Sequence, residues 1–390
     1  MLTVERLEAL LQPRGQQALA EAEARRPTPE TLLSDLQALR MTYGREVATA
    51  AVETAMLRAR AAAKFSRAGA MYFTRDGLEQ ATAEPVARHR ASRYAAADTV
   101  WDLCCGIGGD LLQFAAAGLQ VVGIDLDPLR LRIAEHNAEV YAVGKEVQFQ
   151  QTDVAAWDAP AHSLLFFDPG RRQGSRRIFN PGDYQPPLST IARWLPQADG
   201  IGVKVAPGIN YEGLPWQPYE VEIVSLGGEV KEAVLWFGSL ARGERTATVL
   251  PAGVSLTAYP VAGVAVEPPR AYLYEPDGAV IRAHLVEHLA HKLGATKIDP
   301  EIAFLSGDHL VSTPFARAFK VDTVMPFNLK RLRQLLRGRG IGHVVVKKRG
   351  SPIDPQELER DLRLEGPRAA VVVLTHVQGK PSVIICDVTD

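Results

Sequence analysis

Apolar positions in the first 68 residues recur at helical spacing among many Ala, Leu, Glu and Arg residues, which predicts an all-helical leader over 1–68. Within it, "PTPETLLSDLQALR" carries a helix start, with Thr28 as N-cap and Pro29 in the first turn. "REVATAAVETAMLRARAAAKF" predicts one long Ala-rich helix. From about residue 98 the pattern changes to short apolar runs that alternate with helical stretches. The runs predict strands at 99–104, 120–125, 146–150, 163–168, 199–206, 219–226 and 231–238. Helices are expected at 109–118, 128–143 and 187–196, with one further crossover of undefined form. That alternation predicts a parallel sheet with right-handed crossovers. The last two strands are joined only by "LGGEVKE" and predict an antiparallel hairpin at the sheet's edge.

After Leu250 the pattern changes again. "PAGVSLTAYPVAGVAVEPP" predicts short strands and a linker. Beyond it lie helices in "AHLVEHLAHKLG", "NLKRLRQLLRGRG" and "DPQELERDLRLEG", and strands in "HVVVKKRG" and "AAVVVLTHVQGKPSVIICDV". The expected organisation is a helical region over 1–68, an α/β domain over 69–250 and a separate α+β domain over 251–390.

Composition narrows the field. At 46% hydrophobic and 23% charged, the chain reads as globular, and its net charge of −1 gives the whole molecule no pull toward nucleic acid or membrane. Three cysteines, two of them the adjacent Cys104 and Cys105, make neither a disulfide framework nor a zinc site. The N-terminal segment is charged, without an apolar signal core, and no run reaches the ~18 apolar residues of a membrane span. A cytoplasmic protein that holds no metal is the expectation.

The chemistry concentrates in "TVWDLCCGIGGDLLQFAAAGLQVVGIDLDP", residues 99–128. Gly106, Gly108 and Gly109 follow one strand and open a helix, so the backbone can turn tightly and approach a ligand. A dinucleotide turn would carry a third glycine where Leu111 stands. Asp110, just before it, suits an ammonium group rather than a pyrophosphate. S-adenosylmethionine, with its amine and sulfonium, is such a ligand. Cys104, Gly106 and Gly108 would line its turn, and Asp102 could receive its amine. Asp125, ending the second strand, is placed to accept the ribose hydroxyls, Leu126 to lie on the adenine and Asp153 to accept the adenine amino group. Turn formation and helix capping are the bland explanation for such residues, and they explain Asp127 better than ligand contact does.

These words, with "HNAEVYAVG", "GDY" at 182–184 and "VEIVSLGGEVKEAVLWFGSL" at 221–240, resemble the class I S-adenosylmethionine-dependent methyltransferases, and among them the trimethylguanosine synthases. The resemblance implies a Rossmann-like, seven-stranded α/β sheet with an antiparallel terminal hairpin. The upstream "YFTRDGLEQAT" resembles the segment that encloses the cofactor in those enzymes, which implies Phe73 and Thr74 near its methionine end. In relatives that methylate exocyclic base amines, the fourth strand ends in an Asp, Asn or Ser followed by Pro-Pro and an aromatic residue. Asp168 and Pro169 match that pattern and are the catalytic candidates, whereas Gly170 and Arg171 replace the second proline and the stacking ring. Tyr184 could supply a ring from the next loop, or an arginine plane could stack instead.

Arg171, Arg172, Arg176 and Arg177 suit phosphate, so RNA is the expected partner; a solvated loop paired with acids is the alternative. Lys204 reads as a strand-end charge. Between 320 and 349 the basic residues are Lys320, Lys330, Arg331, Arg333, Arg337, Arg339, Lys347, Lys348 and Arg349, nine against the single acid Asp322. Lys330, Arg333 and Arg337 fall on one helical face, and Lys347 and Lys348 lie beside it, as phosphate binding requires. This region resembles the THUMP-like domain of bacterial methyltransferases, which implies RNA binding. His284, His288 and His291 are expected on one helix at i, i+4 and i+7, a spacing that could suggest metal, but no cysteine is nearby in sequence and metal binding is not the expectation. The expected reaction is methylation of an RNA base, with exocyclic guanine N2 the leading acceptor. Its rivals are a small-molecule or protein acceptor, and a non-catalytic RNA-binding protein on the same fold. Leu111 disfavours NAD-dependent oxidoreduction.

Overall fold

The computed structural model describes residues 2–170, 172–173, 176–177, 181–216 and 219–387. The chain divides into two compact units, residues 1–221 with 232–242, and residues 222–231 with 243–390.

The first unit opens with four helices, α1 (Val4–Leu11), α2 (Pro13–Arg25), α3 (Leu32–Tyr43) and α4 (Arg45–Ala61). They bury Leu7, Leu10, Leu19, Leu39 and the alanine stripe of α4 in a common core. Helix α3 begins four residues after the expected cap. Thr28 and Thr31 instead close a small turn, each hydroxyl accepting the other's backbone N–H at 3.3 and 2.9 Å. Two short helices follow, α5 (Arg75–Gln80) and α6 (Glu84–Ala91), the first capped by Thr74.

Then come β1 (Thr99–Leu103), α7 (Leu111–Ala116), β2 (Gln120–Asp125), α8 (Pro128–Val140), β3 (Val147–Gln151), β4 (Leu164–Phe167), α9 (Ile191–Trp194) and β5 (Gly200–Val205). Helix α8 starts where its sequence says: Asp127 accepts from the amides of Leu129 and Arg130, and Pro128 takes the first position, where no N–H is needed. The strands β3-β2-β1-β4-β5 are all parallel. Strand order reverses between β1 and β4, the point at which an open α/β sheet leaves a crevice beyond its carboxyl ends.

Strands β6 (Glu220–Leu226) and β7 (Glu229–Gly238) complete the seven expected, and β7 runs antiparallel to β5. Gly227 and Gly228 join them, both at positive φ as a two-residue hairpin turn demands. Leu111 is accommodated from the opposite side: a Cβ on Gly123 of β2 would lie 2.4 Å from its Cδ1, so the glycine that permits close helix–strand contact sits on the strand.

In the second unit, β8 (Arg245–Leu250) pairs antiparallel with β9 (Val254–Thr257). Next in the chain are β10 (Tyr272–Pro276), α10 (Gly278–Arg282), α11 (Val286–Leu293), β11 (Thr296–Lys297), β12 (Leu305–Gly307) and β13 (Ala316–Pro326). The chain closes with α12 (Leu329–Gly338), β14 (Ile341–Lys348), α13 (Pro355–Leu362), β15 (Arg368–Val377) and β16 (Lys380–Cys386). The sheet runs β11-β12-β10-β13-β16-β15-β14, with only β14–β15 parallel. Leu332 and Leu336 of α12 and Leu358 and Leu362 of α13 bury against Val372, Leu374, Val383 and Ile385. His288 and His291 each use Nε2 on a backbone carbonyl, of Tyr259 and Ala262.

Among the described residues, no helix is long and apolar enough to cross a membrane.

Candidate active site

The crevice beyond β1, β2 and β4 opens into a cleft of about 960 Å³. Its floor is the glycine turn. Cys104 leaves β1 at φ 65°, a left-handed conformation rare outside glycine, and Gly106 and Gly108 continue at φ 58° and 92°. Asp125 locks this turn, because its Oδ2 accepts from Gly106 N at 2.9 Å and its Oδ1 from Asp127 N at 2.9 Å. The carboxylate thus arrives at the cleft already oriented. Leu126 lines the cleft at 64% exposure. Asp153 is exposed on the same wall and accepts from Ala155 N at 2.9 Å.

Below this floor lies Asp102, 1% exposed, with neither carboxylate oxygen hydrogen-bonded to any of the described residues. Burial, reinforced by the charge of Asp168, pushes its carboxyl up to about 8, against the pull of Arg90 and Lys204. Burial and the charges of Asp125, Asp168 and Asp102 likewise hold the Cys104 thiol well above its usual range, so it is a neutral group here.

Asp110 does not stand bare at the turn as its sequence position implies. Arg90, fully buried beneath the cleft, forms ion pairs with Asp110 and with Glu232, and its guanidinium lies 4.4 Å from the centroid of the Phe166 ring. Asp110 Oδ2 also accepts from Thr82 Oγ1 at 2.7 Å. Thr82 in turn accepts from Lys204 Nζ at 2.7 Å, and the same ammonium donates to Asp168 Oδ2 at 2.6 Å. Lys204 is therefore not a solvated charge at the end of β5: at 3% exposure it is the buried cation paired with Asp168. Thr82 and Glu232 fall inside quoted words but carry no assigned role there, and Arg90 lies 142 residues from Glu232, so local pattern could not reveal their association.

Asp168 and Pro169 line the far end of the cleft. Gly170 donates to Gln185 O at 2.8 Å and Gln185 returns the bond at 3.0 Å, so the loops after β4 and before α9 close as one wall. Tyr184 belongs to that wall but offers no stacking ring. It is 1% exposed, and its hydroxyl accepts from Ala206 N at 3.1 Å. Phe73 and Thr74 are not among the lining residues: Phe73 is buried against Phe65, and Thr74 spends its hydroxyl capping α5, whose Gly77 does reach the cleft. Asn137, missed in sequence, ties this segment down. It bonds the amide and carbonyl of Tyr72 at 2.9 and 3.2 Å and the carbonyl of Ile107 at 3.1 Å. Arg171 lies outside the described residues. Arg172, Arg176 and Arg177 are described only as backbone, in a short antiparallel pairing.

In the second unit, Lys330 and Lys348 are exposed. Arg333 and Arg337 are partly committed to the fold, donating to the carbonyls of Asp361 and Arg363 at the end of α13, where helix carbonyls lack partners. Lys347 pairs with Glu275 at 2.5 Å.

Residues 97–171 match the family model described as RNA cap guanine-N2 methyltransferase, residues 316–388 that of a THUMP domain-like family, and residues 3–61 that of a domain of unknown function. The chain is 38% identical over 336 residues to an uncharacterised S-adenosylmethionine-dependent methyltransferase of Mycobacterium tuberculosis, covering 84% of this chain and 92% of that protein. It is 28% identical over 99 residues to the trimethylguanosine synthase of Schizosaccharomyces pombe, covering 23% and 41%. A crystal structure from Porphyromonas gingivalis W83, assigned as a methyltransferase, shares the fold at TM-score 0.77 and 19% identity over 100% of both chains.

Proposed function

Because the chain belongs to the S-adenosylmethionine-dependent methyltransferases, we propose that it transfers the methyl group to a base of RNA, with exocyclic guanine N2 as the leading acceptor. The residues present fit the cofactor. Among the described residues, Asp102 keeps two buried oxygens without partners, a Cβ on Gly106 would meet nothing within 4 Å, and Leu126 presents an apolar face. When bound, S-adenosylmethionine supplies a methyl group on a positively charged sulfur.

In this reading Asp102 receives the cofactor's amine, Asp125 its ribose hydroxyls, Leu126 the adenine face and Asp153 the adenine amino group. Asp125 needs no reorganisation, since two backbone amides already fix it. Asp168 accepts an N–H of the acceptor amine and turns the nitrogen lone pair toward the methyl carbon. Pro169 and Gly170 set the wall behind it. Methyl transfer to an amine needs alignment more than acid–base catalysis, so positioning supplies most of the rate. Lys330, Arg333, Arg337, Lys347 and Lys348 of the second unit bind the RNA backbone as charges, without reading sequence.

The observation that carries this reading is Asp168-Pro169 at the end of β4, facing the same cleft as Asp125 and the glycine turn. The THUMP domain-like match over 316–388 supports an RNA acceptor. Nucleoside mass spectrometry of total RNA from a strain lacking the protein tests it. Loss of N2-methylguanosine is the expected result, and an unchanged set of modified nucleosides excludes an RNA acceptor.

A further inference from the structure

The buried lysine on β5 has a geometry that a structural charge does not require. Lys204 Nζ donates to Thr82 Oγ1 at 2.7 Å and to Asp168 Oδ2 at 2.6 Å. Thr82 Oγ1 donates its own hydrogen to Asp110 Oδ2 in a hydrogen bond of 2.7 Å, so the donors run in one direction, from Lys204 through Thr82 to the acid of the glycine turn. Asp110 is held in turn by Arg90. The ammonium therefore stands where the cofactor half and the acceptor half of the cleft meet. It occupies one oxygen of Asp168, and Oδ1 has no partner among the described residues.

We propose that Lys204 is a positioning residue for methyl transfer: clamped by Thr82, it fixes the rotamer of Asp168 and leaves Oδ1 for one acceptor N–H. This rests on the reading of Asp168 as the acceptor-orienting group. In the reaction, the acceptor nitrogen forms its bond to the methyl carbon as the carbon–sulfur bond breaks. The bonding pair stays on sulfur, and the nitrogen's surplus proton passes to Asp168 Oδ1 and on to water. Lys204 also places a positive charge beside Asp102, where it opposes the rise that burial and the charge of Asp168 impose on that carboxyl. The groups that face Asp102 include Asp168, Arg90, Lys204 and Asp125, with Tyr94 and the thiols of Cys104 and Cys105 also close to it, and Arg90 is itself paired with Asp110 and Glu232. Without Lys204, Asp102 loses a cation that favours its ionised form.

The test compares the full chain with Lys204→Met, Lys204→Arg and Asp168→Asn. Calorimetry with S-adenosylhomocysteine from pH 6 to 9 reads the ionisation of Asp102. Transfer of labelled methyl to RNA from a strain lacking the protein reads positioning. For Lys204→Met the expected results are a transfer rate down about a hundredfold, as for loss of one preorganised charge, and S-adenosylhomocysteine affinity at pH 9 within about threefold of wild type. The midpoint of the affinity's pH dependence should rise by about one pH unit. Lys204→Arg should restore both. An unmoved midpoint in Lys204→Met overturns the proposal, as does an affinity that falls in parallel with the rate and is not rescued by Arg. If wild type transfers methyl to no RNA, the RNA reading fails, and the calorimetric midpoint still decides the role of Lys204.

Discussion

Asp102 is a cost that the fold carries. Its carboxyl is 1% exposed, lacks a hydrogen-bond partner among the described residues and holds its proton up to about pH 8. In the unfolded chain the same group ionises near 3.9. Between these values the native state binds a proton that the unfolded state has lost, so stability falls as pH rises and falls no further above the folded value. At 1.36 kcal/mol per pH unit, the loss between pH 4 and pH 8 is on the order of 5 kcal/mol. Asp102→Asn keeps the shape and removes the ionisation. Urea unfolding at pH 5, 6.5 and 8 should show the variant gaining on wild type by roughly 1.4 kcal/mol per pH unit. The same residue should make cofactor binding pH-dependent. If the amine needs an ionised Asp102, wild-type affinity for S-adenosylhomocysteine climbs up to tenfold per unit from pH 6 to 8, whereas that of Asp102→Asn is weak and flat. A stability difference that stays constant across this range, with parallel affinity curves, would refute the reasoning.

Asp125→Ala removes the anchor of Gly106 N and the proposed ribose contact together, and calorimetry should show S-adenosylhomocysteine affinity down about a hundredfold or more, from two hydrogen bonds to a charged group. Asn137→Ala strands the amide and carbonyl of Tyr72 and the carbonyl of Ile107, and should lower unfolding free energy by about 3 kcal/mol in urea. Arg90→Met leaves Asp110 and Glu232 buried without their cation, and a loss of about 3–5 kcal/mol is expected by the same assay. In the second unit, Lys330→Ala with Lys348→Ala should leave the melting temperature unchanged. It should lower the slope of log affinity for single-stranded RNA against log salt by about 0.7 for each phosphate that the variant no longer neutralises. Arg333→Ala should instead lower the melting temperature, because it uncaps a carbonyl of α13.

The sheet and its glycine turn were legible because their determinants are local. Strand period, Asp127-Pro128 at the start of α8 and Gly227-Gly228 in the hairpin each act within a few residues. The chemistry beneath the turn was not, because it is made by residues far apart in the chain. Lys204 meets Thr82 across 122 residues and Asp168 across 36, and a charge at the end of a strand pattern gives no sign of such partners. Asp110 was visible as an acid, but its neutralisation by Arg90 was not. Tyr184 was visible as a ring, but the amide of Ala206 draws its hydroxyl inward and removes the face that stacking needs. Arg333 and Arg337 read as a phosphate-binding face, yet both also complete the end of a neighbouring helix.

The account depends on a cationic sulfur donor occupying the cleft between the glycine turn and Asp168. A crystal structure of the complex with S-adenosylhomocysteine tests this most directly. The expected density places the ribose hydroxyls on Asp125, the amine over Asp102 and the sulfur toward Asp168. A ligand bound elsewhere, or a cleft closed by the protein's own side chains in crystals that contain the compound, would contradict it.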